Sequence, residues 1–382
     1  MNFDQTEEQQ LLADSIRKFL ARDYDFERRK KIVASAEGYS EPVWATFAEM
    51  GLTALPFSAE HGGFGGGAVD MMGVMEAMGE GLVVEPYLAT VGLAGQLIAR
   101  AGSAAQKKAI LPALLEGKLK LAFAQTERGS RYDLAHVATT AKKAGGGWQL
   151  DGEKCVVLGA PCADRLIVSA RTSGNVTDAA SSPTGISLFL VDREAPGVVL
   201  KSYRTLDEQR AADVELKGVK AGADALVGAE GGALPVIEEV MDFATALICS
   251  EAVGAMKSAN DATLEYLKTR KQFGVTIGTF QALQHRMVDM FVTAEQARSM
   301  ACLAASKADT AESATDRKRA ISAAKVRVAE ACRHVAQESV QLHGGMGMTE
   351  ELKVSHTFRR LTMIAQQFGD AEHHLERFSG LS

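Results

Sequence analysis

The chain contains 382 residues with a mass of 40.7 kDa, more than a single hydrophobic core usually holds, so we expect two or three domains. Hydrophobic residues make up 46% and charged residues 24% of the sequence, a composition typical of a folded globular protein and not of a disordered chain. The formal net charge is −6 at pH 7, and no long basic block occurs. These values exclude a nucleic acid as an expected partner.

The cysteine and histidine positions argue against disulfides and against a metal site. The five cysteines never occur in C-x-x-C spacing and lie in apolar or helical surroundings, which indicates reduced thiols. His373 and His374 are adjacent, and adjacent side chains on a helix point about 100° apart, so the two rings make a poor chelate. We therefore expect no bound metal.

No targeting or membrane segment is expected from the sequence. The N-terminal residues are acidic and lack an apolar centre, unlike a signal peptide. No uncharged apolar run reaches the roughly 18 residues that a membrane-spanning helix needs. The sequence thus predicts a cytoplasmic protein without a membrane span.

The first 120 residues favour helices. Thr6 is a typical N-cap residue for a helix over residues 7–21, and Pro42 can open a further helix over residues 43–50. Five glycines between positions 62 and 67 then break the chain. This part is predicted to form an N-terminal helical domain.

Residues 121–230 show a different pattern, made of short β-type runs that turn residues separate about every ten positions. This spacing predicts an antiparallel sheet or barrel, and residues 172–184 are predicted to form a flexible surface loop. The runs are 121–124, 148–150, 166–170, 186–191, 198–200 and 214–216.

The C-terminal part favours long helices, because all eight prolines lie within the first 235 residues. Apolar residues recur at three- and four-residue intervals over 244–268, 282–308 and 320–343, which predicts antiparallel helices in a bundle. The whole sequence therefore predicts a multi-domain α+β fold. Its expected parts are an N-terminal helical domain at 1–120, a middle antiparallel β domain at 121–230 and a C-terminal helical bundle at 231–382.

The usual short signatures of nicotinamide, nucleoside triphosphate, zinc protease and α/β-hydrolase sites are absent from the sequence. Other phrases have unusual residue choices. In chain order they are Gly51 to Gly66, Leu111 to Glu127, Arg270 to His285 and Gln341 to Glu350. Together these phrases resemble the flavin-dependent acyl-CoA dehydrogenase family over nearly the whole chain. Phrases at 130–135, 247–256, 266–270 and 368–375 are more specifically similar to small subunits of pimeloyl-CoA dehydrogenases.

The resemblance implies an FAD cofactor. An FAD pyrophosphate needs cationic donors and a close approach by the backbone, which Arg270 and the pair Gly344 and Gly345 can supply. Taken alone, Arg270 is more typical of a surface salt bridge and the glycine pair of a helix C-cap, whereas the ordered phrases together favour the cofactor. In the family, the matching residues reach the FAD of a neighbouring subunit across a dimer interface. They are Arg270, Phe273, Gln281, Gln341, Gly344 and Gly345.

A second group of residues is expected at the flavin ring. Phe123 belongs to the β-type run that leads to Gln125 and Thr126, and the resemblance implies that the latter two contact the isoalloxazine. The chain departs from the family at two places. Arg128, Arg131 and Tyr132 replace the usual proline, glycine and serine, which leaves Tyr132 as a candidate for substrate binding. Val156 and Leu158 lie where the family usually has a tryptophan and a threonine against the flavin.

The catalytic base is not evident. The family's usual glutamate near the C-terminus is missing from residues 365–371, and Ala244 occupies the alternative position on the first helix of the bundle. Glu251 is seven residues further on and on the same helix face. Its apolar neighbours in sequence should disfavour the ionised form and suit a base, whereas the alternative is a buried glutamate bonded to a neighbouring helix. Asp370 is the second candidate.

The sequence therefore predicts an FAD-dependent acyl-CoA dehydrogenase that converts an acyl-CoA to its 2,3-enoyl-CoA. The resemblance implies an electron-transfer flavoprotein or similar acceptor, and a homodimer or homotetramer. The missing base leaves an alternative, a non-catalytic or half-site partner subunit in a heterotetramer with a larger homologous subunit. A helical interaction protein without cofactor is a third alternative, which would leave the phrases around Arg270 and Gln341 without a purpose.

Overall fold

A computed structural model describes residues 6–174 and 184–381. The predicted surface loop at 172–184 therefore lies mostly outside the described residues. Contacts within the chain define two compact units, each assembled from separate segments. The first unit comprises Met1–Lys31, Gly67–Val83 and Thr245–Ser382, and the second comprises Ile32–Gly66 and Val84–Ala244. The boundaries expected at residues 120 and 230 stay a prediction. None of the described helices is both long and apolar enough to cross a membrane.

The described residues form helices at both ends of the chain and strands in the middle, as predicted. The helices are α1 (Glu7–Asp23), α2 (Phe26–Ala34), α3 (Glu41–Glu49), α4 (Ala68–Gly81), α5 (Gly95–Ala101), α6 (Ala104–Leu115), α7 (Leu234–Thr269), α8 (Gln281–Thr310), α9 (Ala314–His343), α10 (Lys353–Gln366) and α11 (Ala371–Ser379). The strands are β1 (Leu121–Ala124), β2 (Thr140–Ala144), β3 (Gly147–Leu158), β4 (Arg165–Arg171), β5 (Ile186–Asp192), β6 (Val198–Arg204), β7 (Arg210–Ala221), β8 (Leu226–Val227), β9 (Lys271–Gln272) and β10 (Val275–Thr276).

The first unit is helical, and its local signals act as the sequence predicts. The Thr6 side chain accepts a hydrogen bond from the backbone of Gln9, whose own side chain bonds back to Thr6, so a capping box begins α1. Helices α4 and α7 approach closely through glycines. A Cβ on Gly79 would lie 2.0 Å from the carbonyl oxygen of Glu251, and a Cβ on Gly254 would lie 1.8 Å from that of Glu76. Only glycine permits this contact.

The end of α10 is held by a buried lysine on α9. The Nζ atom of Lys325 donates to the carbonyl oxygens of Ile364, Ala365 and Gly369 at 3.0, 3.2 and 2.7 Å. The first two are carbonyls that a helix leaves unpaired at its C-terminus, where a cation is also favoured by the helix dipole, and the third lies in the turn that follows α10. Lys325 thereby fixes the turn between α10 and α11.

The second unit contains the sheet. Its main strand order is β6-β7-β3-β2-β4-β5-β8, and β1 pairs with β4. All six β-type runs predicted from the sequence lie within strands, whereas β2 and β8 were not predicted. Most pairs are antiparallel, as expected, but β1 and β2 each pair with β4 in parallel. The reason for the β1 pairing is the connection, since the hairpin of β2 and β3 lies between β1 and β4 and returns the chain in the same direction.

Candidate functional site

Gln125 and Thr126 immediately follow β1 in the second unit. The side chain of Gln125 is buried and its Nε2 donates to the carbonyl oxygen of Leu134 at 2.8 Å. Its Oε1 is also buried and accepts no hydrogen bond from any described residue. A buried acceptor without a donor costs about 1–3 kcal/mol, so a ligand that donates to this oxygen would stabilise the site. Phe123 is buried within β1, and Thr126 is exposed.

Val156 lies beside Thr126 and has a strained backbone. The Cys155 N–H donates to the carbonyl oxygen of Thr126 at 2.8 Å, and the register between β3 and β7 shifts between Lys154 and Val157. Val156 has φ +52° and is 46% exposed, an unusual conformation for a β-branched residue that costs about 1–3 kcal/mol. Such strain clusters at ligand sites. Leu158, two residues on, is half-buried.

Asp213 on β7 holds this strained segment. Its Oδ1 accepts from the Val156 N–H at 3.2 Å and from the Tyr203 hydroxyl at 3.0 Å, and its Oδ2 accepts from Arg128 at 2.6 Å. Arg128, which departs from the family pattern, is thus an exposed side chain anchored beside Val156. Tyr132 is half-buried in the turn that follows, and its role in substrate binding stays a prediction.

In the first unit, Arg270 and Phe273 are exposed around the short hairpin of β9 and β10. The Arg270 guanidinium lies on the surface, and no carboxylate of the described residues pairs with it. Among the described residues, Arg270 therefore forms no surface salt bridge, which was the alternative to a cofactor contact. Phe273 is 88% exposed and has φ +57°, and Gly274 has φ +81°, which gives the two-residue turn the left-handed backbone of a type I′ hairpin. Gln281 begins α8 and is exposed.

Gly344 and Gly345 follow α9 at an exposed end. An added Cβ on either glycine would meet no atom within 4 Å, so the backbone there is open to a ligand. Gly344 is also the C-cap residue of α9, with φ +60°, so the expected C-cap and an open approach coexist. Gln341, one turn earlier, is exposed.

An aromatic stack joins these two parts of the first unit. The rings of Tyr266 and His343 stack with centroids 4.4 Å apart and planes 29° apart. The backbone carbonyl oxygen of Tyr266 also accepts the backbone N–H of Arg270 at 2.8 Å, and His343 directly precedes the glycine pair. Burial lowers the pKa of His343, although the hydrogen bond with the backbone of Ser339 acts to raise it. The stack thus joins the end of α7, which Arg270 follows, to the end of α9, which Gly344 follows, and a shared FAD contact of these residues stays a prediction.

Glu251 is buried and bonded to a neighbouring helix, which is the alternative that the sequence leaves open. Its Oε1 accepts from Arg360 Nε at 2.6 Å, and its Oε2 accepts from Arg360 Nη2 at 2.7 Å. Both side chains are buried. These contacts match that alternative, because α10 places a guanidinium against α7 at a sequence separation of 109 residues. Arg360 Nη1 also lies 3.5 Å from Gln367 Oε1.

Asp370 is engaged as well. Its Oδ1 accepts the backbone N–H of His373 at 2.8 Å, so the carboxylate is the N-cap of α11. A carboxylate at this position satisfies an otherwise unpaired backbone donor and is favoured by the helix dipole. The catalytic roles of Glu251 and Asp370 stay predictions, and both carboxylates have a structural function.

Three family descriptions match the chain in order. They are the N-terminal domain of acyl-CoA dehydrogenase over residues 6–118, the middle domain over 122–219 and the C-terminal domain over 231–379. The mitochondrial long-chain specific acyl-CoA dehydrogenase of Sus scrofa is 30% identical over 92% of this chain and 81% of its own length. The chain belongs to the acyl-CoA dehydrogenase family. Members of this family are FAD flavoproteins and oxidoreductases that act on CH–CH groups.

Solved structures agree with this assignment. The FAD complex of PigA is 25% identical and has a TM-score of 0.89, and the match covers 100% of this chain and 98% of the PigA chain. The ChsE4–ChsE5 complex from Mycobacterium tuberculosis is also 25% identical, with a TM-score of 0.88, and covers 100% of this chain and 98% of the matched chain. The fold predicted from the sequence is therefore confirmed. The likeness to small subunits of pimeloyl-CoA dehydrogenases stays a prediction.

The residues present in this acyl-CoA dehydrogenase fit its FAD cofactor. Gln125 offers a buried acceptor without a donor, which suits an N–H or hydroxyl group of the cofactor. Arg270 offers an exposed guanidinium that pairs with no carboxylate of the described residues, which suits a phosphate. The open backbone at Gly344 and Gly345 permits a close approach. The individual contacts remain predictions.

Sequence reasoning missed several residues that shape the site. Asp213 is 57 residues from Val156, and Arg360 is 109 residues from Glu251, so neither pairing has a local signal. Lys154 and Glu127 could have been found from a buried charge in an alternating strand, because Lys154 lies in β3 between residues of the core. Tyr266 and His343 lie within the sequence phrases 266–270 and 341–350, but their stacking is a tertiary contact that neither phrase indicates.

Proposed function

We propose that this chain is an FAD-binding subunit that oxidises an acyl-CoA thioester to its 2,3-enoyl-CoA. The unpaired Oε1 of Gln125 carries the proposal, because a buried acceptor beside the strained Val156 needs a ligand donor. Family membership gives the reaction class. When bound, FAD supplies the acceptor for the hydride that leaves the β carbon.

The reaction also requires removal of a proton from the carbon next to the thioester. In this chain both candidate carboxylates are engaged, Glu251 by the guanidinium of Arg360 and Asp370 by the backbone of α11. These contacts give both carboxylates a structural role, whereas the reaction needs a carboxylate that reaches the substrate proton. We therefore infer a second candidate function, a half-site subunit whose partner, a larger homologous chain, supplies the base.

An oligomer is supported by the exposed surface of the first unit. Val288, Phe291 and Val292 lie on one face of α8 at helical spacing, and they are 57%, 57% and 45% exposed. Phe273, which the family resemblance places at a neighbouring subunit's FAD, is exposed as well. An apolar helix face of this kind is typical of a subunit interface. We propose a homodimer or homotetramer, or a heterotetramer with the larger subunit.

The proposed acceptor and substrate extend the resemblance. One structurally similar solved chain comes from work on the electron transferring flavoprotein of Acidaminococcus fermentans, which supports an electron-transfer flavoprotein or similar acceptor for this chain. The likeness to pimeloyl-CoA dehydrogenase subunits favours an acyl group with a second carboxylate. An anaerobic panel of acyl-CoAs that includes pimeloyl-CoA and unbranched monocarboxylic thioesters of similar length tests this choice.

The decisive experiment is anaerobic bleaching of the purified yellow protein with that panel. We expect loss of the flavin absorbance near 450 nm with at least one thioester, either for the chain alone or only after co-expression with the larger subunit. Bleaching of the chain alone at a rate of about 10 per second would refute the half-site proposal. A colourless protein that takes up no FAD would refute both proposals.

A further inference from the structure

A buried lysine connects two segments of the proposed flavin site from behind. Lys154 on β3 has a fully buried side chain. Its Nζ lies 2.7 Å from Glu127 Oε1, 2.9 Å from Ser169 Oγ and 3.3 Å from the carbonyl oxygen of Gln125. Lys154 thus reaches from the strand that carries Val156 to the segment that carries Gln125, where it also pairs with Glu127.

The Glu127 carboxylate ties the same segment to the chain that enters β2. Its Oε2 accepts the backbone N–H of Ala138 at 2.6 Å, and its Oε1 accepts the backbone N–H and hydroxyl of Thr139 at 3.0 and 2.7 Å. With Lys154, these donors give both carboxylate oxygens a partner. The contacts of this pair with Gln125, Ala138 and Thr139 therefore anchor the residues that follow β1.

Burial and the neighbouring donors shift the pKa values of both Glu127 and Lys154. Burial alone would raise the pKa of Glu127, but the charge and hydrogen bond of Lys154 together with the backbone donors lower it. Burial lowers the pKa of Lys154 to about 8, although Glu127 opposes this change. A buried ion pair adds little net stability compared with apolar residues of similar volume. Its geometry, which bonds the backbone of Gln125 on one side and of Ala138 and Thr139 on the other, is the property that apolar residues cannot supply.

We propose that Glu127 and Lys154 form a positioning pair, which holds Gln125 and Thr126 beside Val156 so that these residues meet the flavin together. The inference rests on the proposed flavin contacts and names residues that act through them. Lys154 holds the backbone of Gln125, which leaves the Oε1 of that residue free for the ligand. Loss of the pair should loosen this segment and weaken FAD binding.

The test measures FAD binding and not turnover. Apoproteins of the wild type, Lys154→Met and Glu127→Gln are titrated with FAD by fluorescence, and the visible spectrum of each complex is recorded. We expect the dissociation constant of FAD to rise at least about tenfold in both variants, with a shifted flavin band. Lys217→Met is the matched control, since it removes an exposed lysine that pairs with Glu215 at 2.9 Å in the same sheet. The control should stay within about twofold of the wild type.

Thermal unfolding of the apoproteins separates positioning from stability. A variant that unfolds at a lower temperature but binds FAD with the affinity and spectrum of the wild type would overturn the inference. If Lys154→Met does not fold, the nearly isosteric Glu127→Gln decides the question by the same measurements. A folded wild type that binds no FAD would overturn the proposed function as well, whereas equal binding by the wild type and its variants would overturn the positioning role alone.

Discussion

Glu251 and Arg360 allow a base and a structural residue to be distinguished quantitatively. The guanidinium bonds both carboxylate oxygens at 2.6 and 2.7 Å, and the side chains of Arg360 and Glu251 are 7% and 6% exposed. Removing one partner of such a pair leaves an uncompensated buried charge and costs about 3–5 kcal/mol. We therefore expect Glu251→Gln or Arg360→Met to lower the free energy of unfolding by that amount.

The double variant Glu251→Gln/Arg360→Met should recover most of this loss, because it leaves no buried charge. Equilibrium urea unfolding of the four proteins gives the coupling energy, which we expect to be at least about 2 kcal/mol. The flavin bleaching rate of the double variant, measured with the subunit composition that makes the wild type active, should stay within a few-fold of the wild-type rate.

The base hypothesis makes the opposite prediction for the same proteins. A general base contributes about 100-fold or more to the rate, so Glu251→Gln would slow bleaching by that factor in both the single and the double variant. A single variant with wild-type stability, or a double variant that regains stability while bleaching stays slow, would refute the structural reasoning. Retention of FAD in all four proteins is the control that separates either outcome from cofactor loss.

Three further predictions follow from the described contacts. Arg270→Ala should weaken FAD binding about tenfold or more, whereas Lys271→Ala, an exposed neighbour in the hairpin, should leave the dissociation constant nearly unchanged. Burial lowers the pKa of His374 to about 2, whereas the ordinary pKa of a histidine is about 6.5. Between these two pH values, His374 binds a proton in the unfolded chain but not in the folded chain. The wild type should therefore lose about 2 kcal/mol more stability than His374→Gln between pH 7 and pH 5, measured by urea unfolding. Turnover of the isolated chain should be far below about 10 per second and should rise on co-expression with a larger homologous subunit that carries a glutamate base.

The sequence predicts the elements of this fold because their signals are local. The run at 121–124 has the same bounds as β1, and Thr6 caps α1 as its position indicates. Strand β2 was missed because it contains two lysines and its residues are largely exposed, so it lacks the apolar character that identifies a strand. The helical bundle was predicted from periodicity, although α7 begins ten residues earlier than the predicted start at residue 244.

The chemistry of the site was less predictable because it depends on contacts between distant residues. The apolar neighbours of Glu251 along α7 correctly indicate burial, but a single helix contains no sign of the guanidinium that α10 brings to it. The same limit applies to Val156, whose substitution was recognised while its strained backbone and its bond to Asp213 were not. A carboxylate in an apolar segment therefore predicts a buried partner as well as it predicts a base.

The segment between α10 and α11 shows why the missing base matters for the mechanism. Family resemblance places the usual glutamate here, yet Lys325 holds the carbonyl of Gly369 and Asp370 caps α11. Phe368 has φ +62°, and its carbonyl oxygen lies 3.0 Å from Nε2 of the buried His374. Lys325, Asp370 and His374 thus hold the backbone geometry of this turn. We propose that the carboxylate that removes the substrate proton lies on a second subunit, which would also cover the exposed apolar face of α8.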